Sequence, residues 1–172
     1  MKKLILVILV ILGFYIFAGH VSSLVIPPDA LRIRIIANSN SEYDQKIKQI
    51  LREKIQYRMY ELLKNTKGVN EARRIINNNL NNIDTEVKET LQNLNYDLDY
   101  KINFGLNYFP SKEYKGISYE EGYYESLVIT LGEGKGDNWW CVLFPPLCLI
   151  EAEESDEVEY TSFVKELLEK YL

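Results

Sequence analysis

Histidine is nearly missing from this 172-residue sequence: the single one, His20, stands at the end of an apolar N-terminal run. A Cys or Ser nucleophile is usually activated by an imidazole, so the body of the chain lacks the commonest base for nucleophilic catalysis. Cysteine is scarce too, with only Cys141 and Cys148, and without further Cys or His ligands the composition argues against zinc. Cations are in deficit: 20 Lys and Arg face 25 Asp and Glu, a formal charge of −5. That balance speaks against a nucleic-acid partner, because phosphate binding depends on clustered Lys and Arg. Internal repeats and long linkers are absent as well, and the length suits one domain.

What is present begins with a leader. Lys2 and Lys3 precede the charge-free run Leu4–Gly19, and His20, Val21, Ser22 and Ser23 follow ahead of Pro27 and Pro28. This is the order of a signal peptide, with a weak cleavage site before Leu24. Residues 4–19 would span about 24 Å as a helix, short of a hydrocarbon core of roughly 30 Å, although continuing to Ile26 lengthens the run. Cleaved signal peptide and uncleaved membrane anchor therefore both remain open for residues 1–23. Lipoprotein attachment is excluded, since no cysteine lies near the end of the run. Residues 24–30 read as a short linker and 31–172 as one globular domain.

Within that domain Leu31, Ile33 and Ile35 alternate with Arg32 and Arg34, which predicts a strand ending near Ala37. Ser39 with Glu42, or Ser41 with Asp44, caps a helix whose apolar positions run from Ile47 to Leu63. Gly68 stops it. A second helical stretch follows from Ala72 to Leu94, with a break expected near Asp84 because its asparagines are poor helix formers. Strict alternation over Asp97–Tyr108 predicts a half-solvated strand, and Tyr119–Leu131 repeats the pattern. Trp139–Phe144 is apolar throughout and is expected inside the sheet, covered on both faces, ending at Pro145 and Pro146. A last helix with the stripe Phe163, Val164, Leu167, Leu168, Tyr171 and Leu172 is expected to pack back onto the domain, with packing onto a partner as the alternative. The fold class is α/β (α+β): a mixed sheet of about four strands with helices packed on it, preceded by the N-terminal signal or anchor helix.

The densest cluster of unusual residues is Gly132–Cys148. Gly132, Gly134 and Gly136 resemble a phosphate cradle only superficially, because Glu133 would repel phosphate and a strand follows rather than a helix, so a hairpin turn is expected. Cys141 and Cys148 form either a disulfide, if the Pro-Pro turn brings them together, or a pair of buried thiols. Trp139 and Trp140, adjacent on a strand, point to opposite faces. They serve either two core layers or one core layer and a recognition surface beside Pro145 and Pro146. Glu125, Glu133 and Asp137 are the acids nearest the Trp pair and have no spacing that marks a hydrolase. The thirteen tyrosines suit core margins and binding surfaces alike. The run Glu151–Glu159 reads as a solvated acidic segment without the loop spacing of a Ca²⁺ site.

Two stretches resemble the stage II sporulation protein R family of endospore-forming bacteria. The stronger is Gly132–Cys148, with the rare run NWWCVLFPPLC from Asn138; the weaker is RIIANSNSEYDQ from Arg34 to Gln45. Asn40 departs from the family pattern, which has Asp there, but remains a polar capping residue. The resemblance implies an exported signalling protein, not an enzyme and without cofactors. It would be secreted into the space between forespore and mother-cell membranes, or anchored facing it. Its implied partner is a membrane-embedded aspartic protease that processes the sigma-E precursor, and residues 4–19 would engage the membrane if uncleaved. The candidate partner-binding residues are Asn138, Trp139, Trp140, Pro145 and Pro146. The rival readings are a wall-associated hydrolase and a carbohydrate-binding module.

Overall fold

A computed structural model of the chain describes residues 24–114 and 117–147. The leader, Cys148, the acidic run and the C-terminal stripe lie outside the described residues. Nine elements follow in order: β1 (Leu24–Val25), β2 (Leu31–Ile36), α1 (Glu42–Leu63), α2 (Val69–Asn93), β3 (Tyr100–Phe109), β4 (Lys112–Tyr114), β5 (Ile117–Tyr119), β6 (Gly122–Leu131) and β7 (Asn138–Phe144). The larger sheet has the order β3-β6-β2-β7, and β1-β5-β4 forms a small second sheet. β2 runs parallel to β6 and antiparallel to β7, while β3 and β6 are antiparallel. The class is thus mixed α+β, two helices on a four-stranded mixed sheet. Among the described residues no helix is long and apolar enough to cross a membrane.

The period of two in β2 decides which side is core. Leu31, Ile33 and Ile35 are fully buried with Leu127, Ile129 and Leu131 of β6 beneath Ile47, Leu51, Ile55 and Met59 of α1. Ile76, Ile83, Val87 and Leu91 of α2 complete the layer. Both helices therefore lie on this one face. α1 starts where Ser41 accepts a hydrogen bond from the Asp44 backbone N–H, so the second of the two capping registers is the one used.

Several expectations are corrected. α2 runs unbroken through Asp84, because its buried stripe continues on both sides of that residue. The asparagines are accommodated locally: Asn77 and Asn79 donate to the carbonyls four residues earlier, and the Tyr100 hydroxyl donates to Asp84 Oδ1 at 3.0 Å. β7 does not lie inside the sheet; among the described residues its neighbour is β2, and the interior places go to β2 and β6. The Gly132–Gly136 segment is no hairpin turn, since β6 and β7 flank β2 and the loop must cross the end of β2. The expected strand Tyr119–Leu131 is divided at Glu120 and Glu121, giving β5 to the small sheet and β6 to the large one. Residues 24–30 contribute β1, which pairs with β5, and the buried Ile26 and Ala30.

Candidate interaction surface

The loop after β2 and the loop before β7 are one structural unit. Asn38 Oδ1 accepts from the backbone of Glu133 at 3.0 Å, and the Asn38 carbonyl accepts from Lys135 N–H at 3.0 Å. Gly136 N–H donates to the Ala37 carbonyl at 2.9 Å, and Asp137 N–H donates to Asn40 Oδ1 at 2.6 Å. Lys48 Nζ from α1 reaches the Asp137 carbonyl at 3.0 Å. This approach explains two glycines: a Cβ at Gly136 would stand 2.3 Å from the Ser39 carbonyl oxygen, and Gly132, at φ +52°, would meet the Asn38 side chain. Beneath the junction Asp44 is buried, with Asn38 Nδ2 at 2.9 Å and Ser39 Oγ at 2.5 Å from its Oδ2. Burial alone would raise the Asp44 pKa, but hydrogen bonds from Ser39, Asn38 and Ser41 outweigh it and hold the carboxyl below its ordinary value. The loop thus fixes where β7 begins.

The residues singled out from the sequence do not form one surface. Trp139 sits opposite Ile35 on the helix side, packed against the core with the Arg52 guanidinium 5.4 Å from its ring centroid. Trp140 sits opposite Arg34 on the other side, where the Arg34 guanidinium lies 5.4 Å and the Lys112 ammonium 5.5 Å from its ring centroid. Asn138 is on the Trp140 side, half-buried, opposite Ile36. Pro145 and Pro146 are buried, and the Phe144–Pro145 bond is cis. Cys141 is disulfide-bonded and faces the core side; Cys148 lies outside the described residues. Asn138 and Trp140 are thus brought together, whereas Trp139 and the prolines are directed elsewhere.

Around Asn138 and Trp140 the register builds a surface that spans all four strands. One row runs Asn103, Val128, Arg34, Trp140; the next runs Lys101, Thr130, Ile36, Asn138. At a strand spacing of about 4.8 Å each row is about 14 Å wide. Lys101 and Asn103 are exposed, and Arg34, Thr130, Asn138 and Trp140 are half-buried. The following row, Gly105, Ser126, Arg32, Val142, is closed over by the far end of β3 and the small sheet: Phe109 stands 5.3 Å from Trp140, and Tyr119 5.9 Å from Arg32.

No carboxylate occurs in these rows. Arg32 is only 3% exposed, and its guanidinium carbon lies 3.3 Å from the Tyr124 ring centroid. Burial lowers its pKa, opposed by Tyr124 and Tyr119, and burial also lowers that of Arg34. Both guanidiniums nevertheless stay cationic at neutral pH. Arg34, Lys101 and Asn103 were legible only as the polar side of alternating strands; the missing signal was that Arg34, Lys101 and Asn103 come into register with Asn138 and Trp140 from a distant strand, in rows that hold no acid. A separate open pocket of about 700 Å³ beside Lys112 and Tyr119 is lined by Glu113, Glu120 and Glu121. Among the described residues no group of His, Cys, Asp or Glu has the arrangement of a metal site.

The family model described as Stage II sporulation protein R (spore_II_R) matches residues 27–154. Stage II sporulation protein R of Bacillus subtilis (strain 168) is 39% identical to the chain over 135 residues, 78% of this chain and 60% of that protein. The chain therefore aligns with about three fifths of the length of that relative. No solved structure matches.

Proposed function

Since the chain belongs to the stage II sporulation protein R family, we propose that it is an exported signalling protein that activates a membrane-embedded aspartic protease during sporulation. The protease processes the sigma-E precursor. The chain acts from outside the cytoplasm, in the space between forespore and mother-cell membranes, either released or held by residues 4–19. The single observation that carries this reading is the family match, which extends over the whole described fold from Pro27 onward.

Activation by a ligand requires differential affinity: the chain must bind the active state of the protease more tightly than the inactive one. Its architecture suits such a role through shape rather than chemistry. A two-helix layer and the interlocked loops hold a rigid sheet whose opposite face presents Arg34, Asn138 and Trp140 at fixed spacing. Tryptophan and arginine are, with tyrosine, the side chains enriched among the anchors of protein interfaces.

The test is co-production of the full chain, the protease and the sigma-E precursor in a bacterium that lacks all three. Precursor cleavage is expected only when the chain is present, and a version without residues 1–23, kept in the cytoplasm, is expected to give none. Cleavage that proceeds equally without the chain would refute the proposal.

A further inference from the structure

The sheet face opposite the helices carries cations in its two open rows. The protein has a net charge of −5, yet the rows through Arg34 and through Lys101 hold two cations, two amides and an indole beside Val128, Thr130 and Ile36, and not one carboxylate. These groups are also positioned in advance. Arg34 is half-buried with its guanidinium over Trp140, and Lys112 approaches the same ring from β4. Arg34 Nε and Asn138 Oδ1 are shielded from solvent without a hydrogen-bond partner, so the neighbouring side chains hold them in place by packing. From these observations we infer that this face is a docking site for an acidic, extended peptide segment, crossing the sheet between Lys101 and Trp140.

The chemistry assigns each part of the ligand. Carboxylates of the segment meet Arg34 and Lys101, the first by the two-pronged hydrogen bonding that a guanidinium favours. Its backbone groups are served by the exposed Asn103 amide, and its apolar atoms lie on Trp140. The width of about 14 Å matches about four extended residues at about 3.3 Å each. An anionic bilayer fits less well, because a lipid plane is reached by protruding cations, whereas Arg34 and Trp140 are half-buried. The neighbouring pocket lined by Glu113, Glu120 and Glu121 would repel the same ligand, so it marks the boundary of the site. Resting on the activator reading, the acidic segment belongs to the extracytoplasmic part of the protease.

The experiment uses the full-length chain in neutral detergent and a fluorescein-labelled peptide of alternating glutamate and serine, followed by fluorescence anisotropy. Saturable binding is expected, weakened at least about tenfold by the pair Arg34→Gln and Lys101→Gln and unaffected by Lys54→Gln with Lys88→Gln on the exposed helix surfaces. Lys101→Gln alone, at an exposed position, serves if Arg34→Gln disturbs the circular dichroism spectrum. Absence of binding, an equal loss in the helix pair, or binding only to phosphatidylglycerol vesicles would overturn the inference. The same variants are then compared in the cleavage assay. If the peptide binds as expected but the Arg34 and Lys101 pair activates as the unsubstituted chain does, the assignment of the segment to the protease fails while the activator reading stands. If the peptide binds and the unsubstituted chain does not activate, the activator reading fails and the acidic-peptide site stands.

Discussion

Asp44 shows how one side chain joins two parts of the sequence that were read separately. Its carboxylate accepts from Asn38 and Ser39 while its own backbone N–H donates to Ser41, so it anchors the loop against which Glu133–Asp137 is laid. Hydrogen bonds to a charged acceptor contribute about 1.5–3 kcal/mol, and Asp44→Asn is expected to destabilise by about that amount at pH 7 in urea unfolding. The pH dependence follows from the depressed pKa. A carboxyl held below its ordinary value contributes stability that is present above the unfolded pKa near ~3.9 and lost as pH falls through the lower folded value. The parent protein should therefore lose stability in that acid window, and Asp44→Asn should lose less there; parallel acid slopes would contradict this account. The capping role was legible in the spacing of Ser41 and Asp44. The junction above it was not, because Asn38 and Asn40 accept there from the backbone of Glu133 and Asp137, nearly a hundred positions away.

Among the elements, the helices and the β2, β3 and β6 cores were readable because each carries its own periodicity. Ile47 to Leu63 and Ala72 to Leu91 repeat at helical spacing, and Leu127, Ile129 and Leu131 at strand spacing. What failed were inferences that depend on neighbours. The apolar run of β7 suggested a strand covered on both sides, yet its place beside β2 is fixed by the crossing loop, which has no local signature of its destination. Likewise the apolar face of β3 continues past the helices, leaving Leu106 73% exposed and Tyr108 beside the exposed Tyr123. Alternation reports two faces but not which elements reach them. The three glycines of the crossing loop looked like simple flexibility; in the fold Gly136 is a close approach between backbones. Gly136→Ala should therefore force the loops apart and cost about 1–3 kcal/mol, measured as a lower urea midpoint. Unchanged stability would show that the two loops are not tightly engaged.

For the whole molecule, the family was legible from the two stretches Arg34–Gln45 and Gly132–Cys148, and the fold shows what they share. They are the two sides of one junction, and they also deliver Arg34 and Trp140 to adjacent positions on the outer sheet face. A sequence reading could rank these segments but could not place them together, because the link is made by hydrogen bonds across distant loops. On the proposed reading this face acts from outside the cytoplasm on a protease embedded in a membrane. That reading is tested most directly by reconstituting the protease in sealed vesicles with the sigma-E precursor on its cytoplasmic side and adding the purified full-length chain to either side. Precursor cleavage is expected when the chain is on the extracytoplasmic side, and none when it is on the cytoplasmic side. Cleavage that does not depend on the chain, or that requires it on the cytoplasmic side, would contradict the reading.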